Sequence, residues 1–229
     1  MRMTNSTRPF IAVVVVAAGR GARAGGTQAK QWQSIAGRRV FDHTVDVFRA
    51  RADVQKIVVC LHADDLEQCP DDCLVAKGGT NRTQSVWSGL RALSPYKPDL
   101  VLIHDVARPC VSHAVIDRVI AGLDTHDAVA PALPVTDALW TGDNGMVTGT
   151  RDRQGLFRAQ TPQGFRYPQI CAAHETHTGS AADDVAVARL AGLDVAIVTG
   201  DEDNLKITHP PDFERAARIL EARNGHQAG

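Results

Sequence analysis

Apolar residues fall along this chain in short unbroken runs that alternate with stretches of helical spacing. Ile11 to Val16 is a valine-dominated run, the composition of a strand buried on both faces of a parallel sheet. Val40 to Ala50 then put Val40, Phe41, Thr44, Val45 and Phe48 on one helical face. Lys56 to Leu61 reads as a second buried strand, Asp64 and Asp65 as the start of a short helix, and Leu74 to Ala76 as a third short strand that ends in Gly78-Gly79. Val86, Leu90 and Leu93 mark a helix over Thr83 to Leu93, and Asp99 to Ile103 a fourth strand with His104-Asp105 at its C-terminal end. Ser112 is placed to cap a helix carrying Val115, Ile116, Val119 and Leu123, and Asp127 to Ala132 is a fifth strand. This alternation predicts an α/β protein with a doubly wound, mostly parallel sheet.

The pattern changes after Pro134. Asp137 to Trp140, a turn at Gly142-Asp143-Asn144-Gly145, and Met146 to Thr150 read as a β-hairpin. A two-stranded excursion is marginal in water, so this arm, over about 137–150, is expected to pack on a partner subunit. Leu156 to Thr161 looks extended, Tyr167 to His177 and Ala182 to Leu190 helical, and Leu193 to Val198 a further strand ending at Gly200. Asn204 to Thr208 reads as short and extended, and Pro211 opens a final amphipathic helix with Phe213, Ala216, Ile219 and Leu220. With no repeat, low-complexity segment or linker, 1–229 reads as a single domain.

Composition narrows the function classes. Apolar content of 44% and charged content of 22% are ordinary for a globular protein. A net charge of −1 gives no electrostatic case for nucleic acid. The five cysteines, at 60, 69, 73, 110 and 171, are odd in number and scattered, which suits reduced thiols in a cytoplasm. Arg2 and Arg8 before FIAVVVVAA mimic a secretory signal, but the run leads straight into a Gly-Arg loop and is too short to span a bilayer.

The chemistry gathers at the predicted C-terminal strand ends, where open α/β sheets bind ligands. The first strand leads into Ala17-Ala18-Gly19-Arg20-Gly21-Ala22-Arg23 and on to Lys30. Small residues that admit backbone N–H groups, set among fixed cations, suit a polyphosphate. The loop has no Gly-Lys-Ser/Thr of the ATPase kind. Gly19, Gly21 and Ala24 match G-x-G-x-x-A, but Ile35 to Val40 carries Arg38 and Arg39 and no ribose-binding carboxylate. The loop alone leaves nucleotidyl transfer and dinucleotide binding both open. A second glycine loop, Gly78-Gly79-Thr80-Asn81-Arg82, leads to a helix whose start carries Ser85. The fourth strand supplies Asp105 and Arg108, and the late segment Lys206. One carboxylate among several cations fits a phosphate-rich substrate with one divalent metal. His104 reads as structural, His43, His174, His177 and His209 as surface residues, and Trp32, Trp87 and Trp140 as packing residues. No Ser-His-Asp arrangement or zinc-ligand spacing is present.

Seven motifs, in order, carry a resemblance: AAGRGARAGGTQAKQ (17–31), GGTNRTQSV (78–86), LIHDVARP (102–109), PVTDALW (134–140), QTPQGF (160–165), the Asp pair at 183 and 184, and GDEDNLKIT (200–208). From about Ile11 to Phe213 the chain resembles the bacterial 2-C-methyl-D-erythritol 4-phosphate cytidylyltransferases of the non-mevalonate isoprenoid pathway. The resemblance implies a Rossmann-like nucleotidyltransferase fold and a Mg2+-dependent reaction of CTP with methylerythritol 4-phosphate. It implies that Ala17, Ala18, Gly19 and Gly21 line the CTP and that Arg23, Lys30 and Lys206 hold its reacting phosphates. Gly79, Thr80 and Ser85 would contact the base and ribose, and Asp105 would bind Mg2+. Arg108, Thr161 and Arg153 would hold the acceptor phosphate, Arg153 from the hairpin side of a partner in a homodimer. A related cytidylyltransferase acting on ribitol 5-phosphate would share the CTP residues. Three positions depart from the commonest family pattern: Ala29 for a proline, and Ala138 and Ala182 for threonines whose hydroxyls are expected near the acceptor. The chain stops soon after its last predicted helix, so the cyclodiphosphate synthase domain fused to some relatives is not expected.

Overall fold

A computed structural model describes residues 8–20 and 28–227. Its first strand, β1 (Ile11–Ala17), lies at the centre of an eight-stranded sheet. Parallel neighbours are β4 (Val54–Leu61) on one side and β6 (Leu100–Asp105) on the other, with β5 (Leu74–Lys77) parallel to β4 at the edge. The chain therefore winds outward through β4 and β5, then returns across β1 to β6. That reversal leaves a crevice at the C-terminal ends of β1 and β6, the usual ligand position in open α/β sheets. Register aligns the edge: Val16 faces Asp105, Ala17 faces Leu61, and Leu61 faces Lys77.

Residues of β1 alternate between two cores. Ile11, Val13, Val15 and Ala17 pack with Phe41, Val45 and Phe48 of α1 (Val40–Arg49) and with Val115, Ile116 and Val119 of α3 (His113–Gly122). Ala12 and Val14 pack on the opposite face with Val86 and Leu90 of α2 (Arg82–Ala92). Later residues of that second core come from α4 (Tyr167–Thr176) and α5 (Asp184–Leu190). Burial on both faces explains why no polar residue interrupts this strand. Ser112 caps α3 by accepting from the Val115 N–H, as its position predicts.

The far half of the sheet is mixed. Beyond β6 lies β11 (Gln163–Arg166), antiparallel to both β6 and β7 (Ala128–Pro134). The outer side of β7 takes β12 (Val195–Thr199) in parallel and β10 (Phe157–Ala159) antiparallel. The strand β11 is absent from the sequence-based expectation. It is four residues long, and Gly164 lies where a Cβ would come within 2.6 Å of Val119 Cγ1. The 204–208 segment, expected to be extended, has no strand pairing and is instead pinned by the Ile207 N–H to the Ala107 carbonyl at 2.8 Å. A small hairpin, β2 (Ser34–Ile35) with β3 (Arg38–Arg39), precedes α1. The last helix, α6 (Pro210–Gln227), sends Ala216 into a third core with Ile35, Val40, Cys110 and Ile207.

The predicted arm is a separate two-stranded sheet, β8 (Leu139–Asp143) with β9 (Met146–Arg151). Its turn residues Asn144 and Gly145 both have positive φ, 48° and 79°, the geometry that Asn-Gly favours. Trp140, expected to be a packing residue, is 67% exposed on this arm alongside exposed Met146 and Val147, so it is not buried within the single chain. His43 and His174 are also corrected, from surface to buried residues. Both face apolar sides of their helices, and both find a hydrogen-bond partner, the Ile35 carbonyl and Asp184. Among the described residues no helix is long and apolar enough to cross a membrane.

Gly89 sets how closely α2 approaches the sheet, since a Cβ there would lie 2.6 Å from Val14 Cγ1 and 2.7 Å from Cys60 Sγ. Gly89→Val should cost about 1–3 kcal/mol by overpacking. Urea unfolding would measure it, and an unchanged midpoint would mean that the helix has room to move.

Candidate active site

The crevice is a cavity of about 500 Å3 lined by Ala18, Gly19, Arg20 and Lys30 near β1, by Gly79, Thr80, Arg82 and Ser85 around the start of α2, and by Asp105 and Lys206. Each enters from a segment that ends or turns there. Gly78 closes on the first loop: a Cβ in its place would meet Ala18 Cβ at 2.3 Å. Asn81 caps α2, accepting from the Gln84 N–H at 2.8 Å. Gln84 in turn folds back, its Oε1 accepting from both the N–H and the hydroxyl of Thr80 at 3.0 and 2.8 Å. The Ser85 hydroxyl accepts from the Gly79 N–H at 3.1 Å and donates to the Asn81 carbonyl at 2.9 Å. The second glycine loop is thus held rigid by the helix it precedes.

Asp105 is the electrostatic centre. Its Oδ1 accepts from Arg82 Nε at 3.0 Å and its Oδ2 from Lys206 Nζ at 2.7 Å. Burial opposes ionisation of this carboxyl, yet Arg82, Lys206 and Arg108 hold it well below the usual carboxylate range. Arg82 also reaches Asp184 at 2.7 Å, and the two carboxylates outweigh burial and raise its pKa. Lys30 Nζ donates to the Ile207 carbonyl at 3.1 Å, which ties the first loop to the segment carrying Lys206. Gln31 is fully buried beside it and donates to the Ala17 carbonyl at 2.9 Å. Arg20 turns toward the short helix after β4, bonding His62 Nδ1 at 2.6 Å and pairing with Asp64 and Asp65.

Of the residues anticipated from sequence, Ala18, Gly19, Lys30, Gly79, Thr80, Ser85, Asp105 and Lys206 converge on this cavity. Ala17 ends β1 directly behind it. Gly21 and Arg23 lie outside the described residues. Arg108 and Thr161 are buried next to the cavity and bond inward. Arg108 donates to the carbonyls of Asn204 at 2.6 Å and Ala159 at 3.1 Å. The Thr161 hydroxyl accepts from the Asp105 N–H at 3.2 Å and donates to His104 Nδ1 at 2.9 Å. That fixes the His104 tautomer, with Nε2–H donating to the Arg108 carbonyl at 3.2 Å. Arg153 is exposed at the base of the arm and bonds the Thr136 carbonyl, apart from the residues that line the cavity. Arg82 was named in sequence only as the end of a glycine loop. The signal available for it was its position at the first residue of a capped helix.

A family model described as 2-C-methyl-D-erythritol 4-phosphate cytidylyltransferase (IspD) matches residues 11–222. The chain belongs to that family. It is similar to the 2-C-methyl-D-erythritol 4-phosphate cytidylyltransferase of Roseobacter denitrificans, at 55% identity over 94% of this chain and 99% of the relative. It also resembles a bifunctional IspD/IspF enzyme of Ruegeria pomeroyi, at 57% identity over 91% of this chain and 56% of that one. The crystal structure of the Thermus thermophilus cytidylyltransferase is similar with a TM-score of 0.77, at 30% identity over 91% of this chain and 98% of that one. Cytidylyltransferases of this family thus share the mostly parallel sheet, with flanking helices, on which the crevice is built.

His104 gives the site a pH signature. Burial pushes its imidazole down to about 4, whereas in an unfolded chain it titrates near 6.5. Between those values the unfolded state binds the extra proton, so stability falls as pH drops from 6.5 to 4, by on the order of 3 kcal/mol. The depressed Asp105 carboxyl acts in a lower window, its contribution being lost only as pH falls below about 4. Unfolding free energy measured from pH 7.5 to 4.5 should therefore decline more steeply for the native protein than for His104→Gln.

Proposed function

We infer that this protein transfers the cytidylyl group of CTP to 2-C-methyl-D-erythritol 4-phosphate, releasing pyrophosphate, and that the crevice is where it does so. The observation that carries the reading is the convergence of two glycine loops, Lys30, Lys206, Arg82 and Asp105 on one cavity. A phosphate monoester is largely dianionic near pH 7, so the acceptor needs no general base to become a nucleophile. What it needs is relief from repulsion by the triphosphate it approaches. Lys30 and Lys206, with Arg23 from the first loop, supply fixed positive charge where charge grows on the α-phosphoryl oxygens and the departing pyrophosphate. Ala17, Ala18, Gly19 and Gly21 let the nucleotide lie against backbone, while Gly79, Thr80 and Ser85 sit with the base and ribose. The second glycine loop is already bonded into shape, so little ordering is left to do on binding.

The donor set around Asp105 fits Mg2+. Among the described residues no group of three or more acidic, histidine or cysteine side chains is arranged to hold a metal ion by itself, and a single carboxylate suits a cation that takes most of its ligands from phosphates and water. Both Asp105 oxygens have cationic partners, so one of Arg82 and Lys206 would have to yield for Asp105 to hold the cation. Bound there, Mg2+ would add Lewis-acid charge at the phosphate oxygens. Arg108 and Thr161 belong to the acceptor side, where Arg108 would exchange a carbonyl partner for the acceptor phosphate. The arm, with exposed Trp140, Met146 and Val147, joins two copies in a homodimer and brings the partner's Arg153 to the acceptor. Five unpaired cysteines are in keeping with a cytoplasmic enzyme.

Purified protein should release pyrophosphate from CTP with methylerythritol 4-phosphate and far more slowly with ribitol 5-phosphate; the reverse preference would reassign the acceptor. Chelating Mg2+ with EDTA should abolish turnover, and readdition should restore it. Lys30→Ala should lower kcat by about a hundredfold or more. The lost bond to the Ile207 carbonyl should cost only about 1 kcal/mol of stability. Near-normal turnover by the folded variant would refute the assignment of Lys30.

A further inference from the structure

The two cations on Asp105 are held very differently. Lys206 carries its charge on a flexible stem and is 42% exposed. Arg82 is 21% exposed and anchored at its far end by Asp184, whose side chain is 1% exposed. Asp184 is itself fixed from two other elements. His174 of α4 donates from Nε2 to its Oδ1 at 3.1 Å. Its own N–H and that of Val185 donate to Gln163 Oε1 of β11, each at 3.1 Å. The Gln163 amide donates onward to Asp183, which caps α5. His174 lies parallel to Trp87 of α2 with ring centroids 6.3 Å apart, so its plane is set as well.

Burying this much charge is a poor way to gain stability, because desolvation offsets most of the attraction of a buried pair. It is a good way to fix direction. A guanidinium is a planar fork, and here Nη1 faces Asp184 while Nε faces Asp105. A lysine ammonium has no such fork. Aligning Asp184 therefore aligns Arg82, and Arg82 aligns the Asp105 carboxylate. We propose that His174 and Asp184 are positioning residues for cytidylyl transfer: they brace Arg82 so that Asp105 keeps one fixed cationic partner while Lys206 is the one released toward the phosphates. This rests on the reading of the crevice as the CTP site. Neither residue touches the cavity, and neither lies within ten residues of the glycine loops.

His174→Phe keeps a ring against Trp87 and removes the donor; His174→Gln keeps an N–H. His174→Phe should lower kcat about tenfold, with KM for CTP within about twofold, and His174→Gln should recover most of the loss. In a double-mutant cycle, His174→Phe added to Arg82→Lys should cost less than about a further twofold, since its effect passes through Arg82. Independent, multiplying effects would overturn the proposal, as would a His174→Phe protein with a lowered Tm and unchanged kcat. If His174→Phe does not fold, Asp184→Asn takes its place in the cycle. NMR of the Arg82 guanidinium supplies a readout that needs no turnover: its Nε–H should exchange with water at least about tenfold faster in His174→Phe. Equal exchange rates would refute the brace even in an active enzyme. A native protein with no turnover on CTP would instead refute the functional reading, leaving the exchange comparison to decide on the brace.

Discussion

A buried carboxylate between two cations governs the working end of this molecule. Asp105 ends the strand beside the central one, and its two oxygens are taken by Arg82 from a helix start and Lys206 from a late irregular segment. Three distant parts of the chain meet on one small anion. Without Asp105, two like charges would face each other inside the crevice. Without the cations, a buried carboxylate would be forced toward its neutral form. The crevice thus holds mutually satisfied charges that a polyanionic substrate can compete for.

Sheet geometry explains why the meeting happens there. The winding reverses between β1 and β6, so their C-terminal ends lack a covering connection and the loops that follow them splay apart. Alternating burial of β1 residues between two cores fixes that strand in register with β4 and β6, which places Ala17, Leu61, Lys77 and Asp105 along one rim. The loops can be polar and specialised because the central strand beneath them, β1, is wholly apolar and buried in two cores.

The main strands and helices of the first 130 residues were legible because continuous apolar runs and helical spacing are local signals, whereas the two-residue strands β2 and β3 carry neither and were not anticipated. So were the arm, through its Asn-Gly turn, and the glycine loops, through composition. β11 was not legible: with one aromatic, one glycine and two polar residues it has neither alternation nor a run, and only its place between β6 and β7 makes it a strand. Asp105 and Lys206 could be named from sequence, but their pairing spans 101 residues and leaves no local trace. His174 was misread although the spacing held a clue, since Ile170, Ala173 and His174 share the buried side of α4. A histidine on an apolar stripe needs a partner, and that partner, Asp184, lies on another helix. Arg108 and Thr161 were expected at the substrate, and sequence could not reveal that both Arg108 Nη atoms already bond backbone carbonyls and the Thr161 hydroxyl bonds His104.

The segment carrying Lys206 is stitched to the middle of the chain at Ala107, Arg108 and Thr161, and through Lys30 to its beginning. A ribosome releases these parts in order, the first loop long before its final neighbour. While the chain is being made, the early strands can pair and the helices can settle on them, but Asp105 waits for its lysine until residue 206 has emerged. Competence to hold a nucleotide therefore arrives late and all at once, and a nascent polypeptide cut short before that point would be folded in part yet empty-handed.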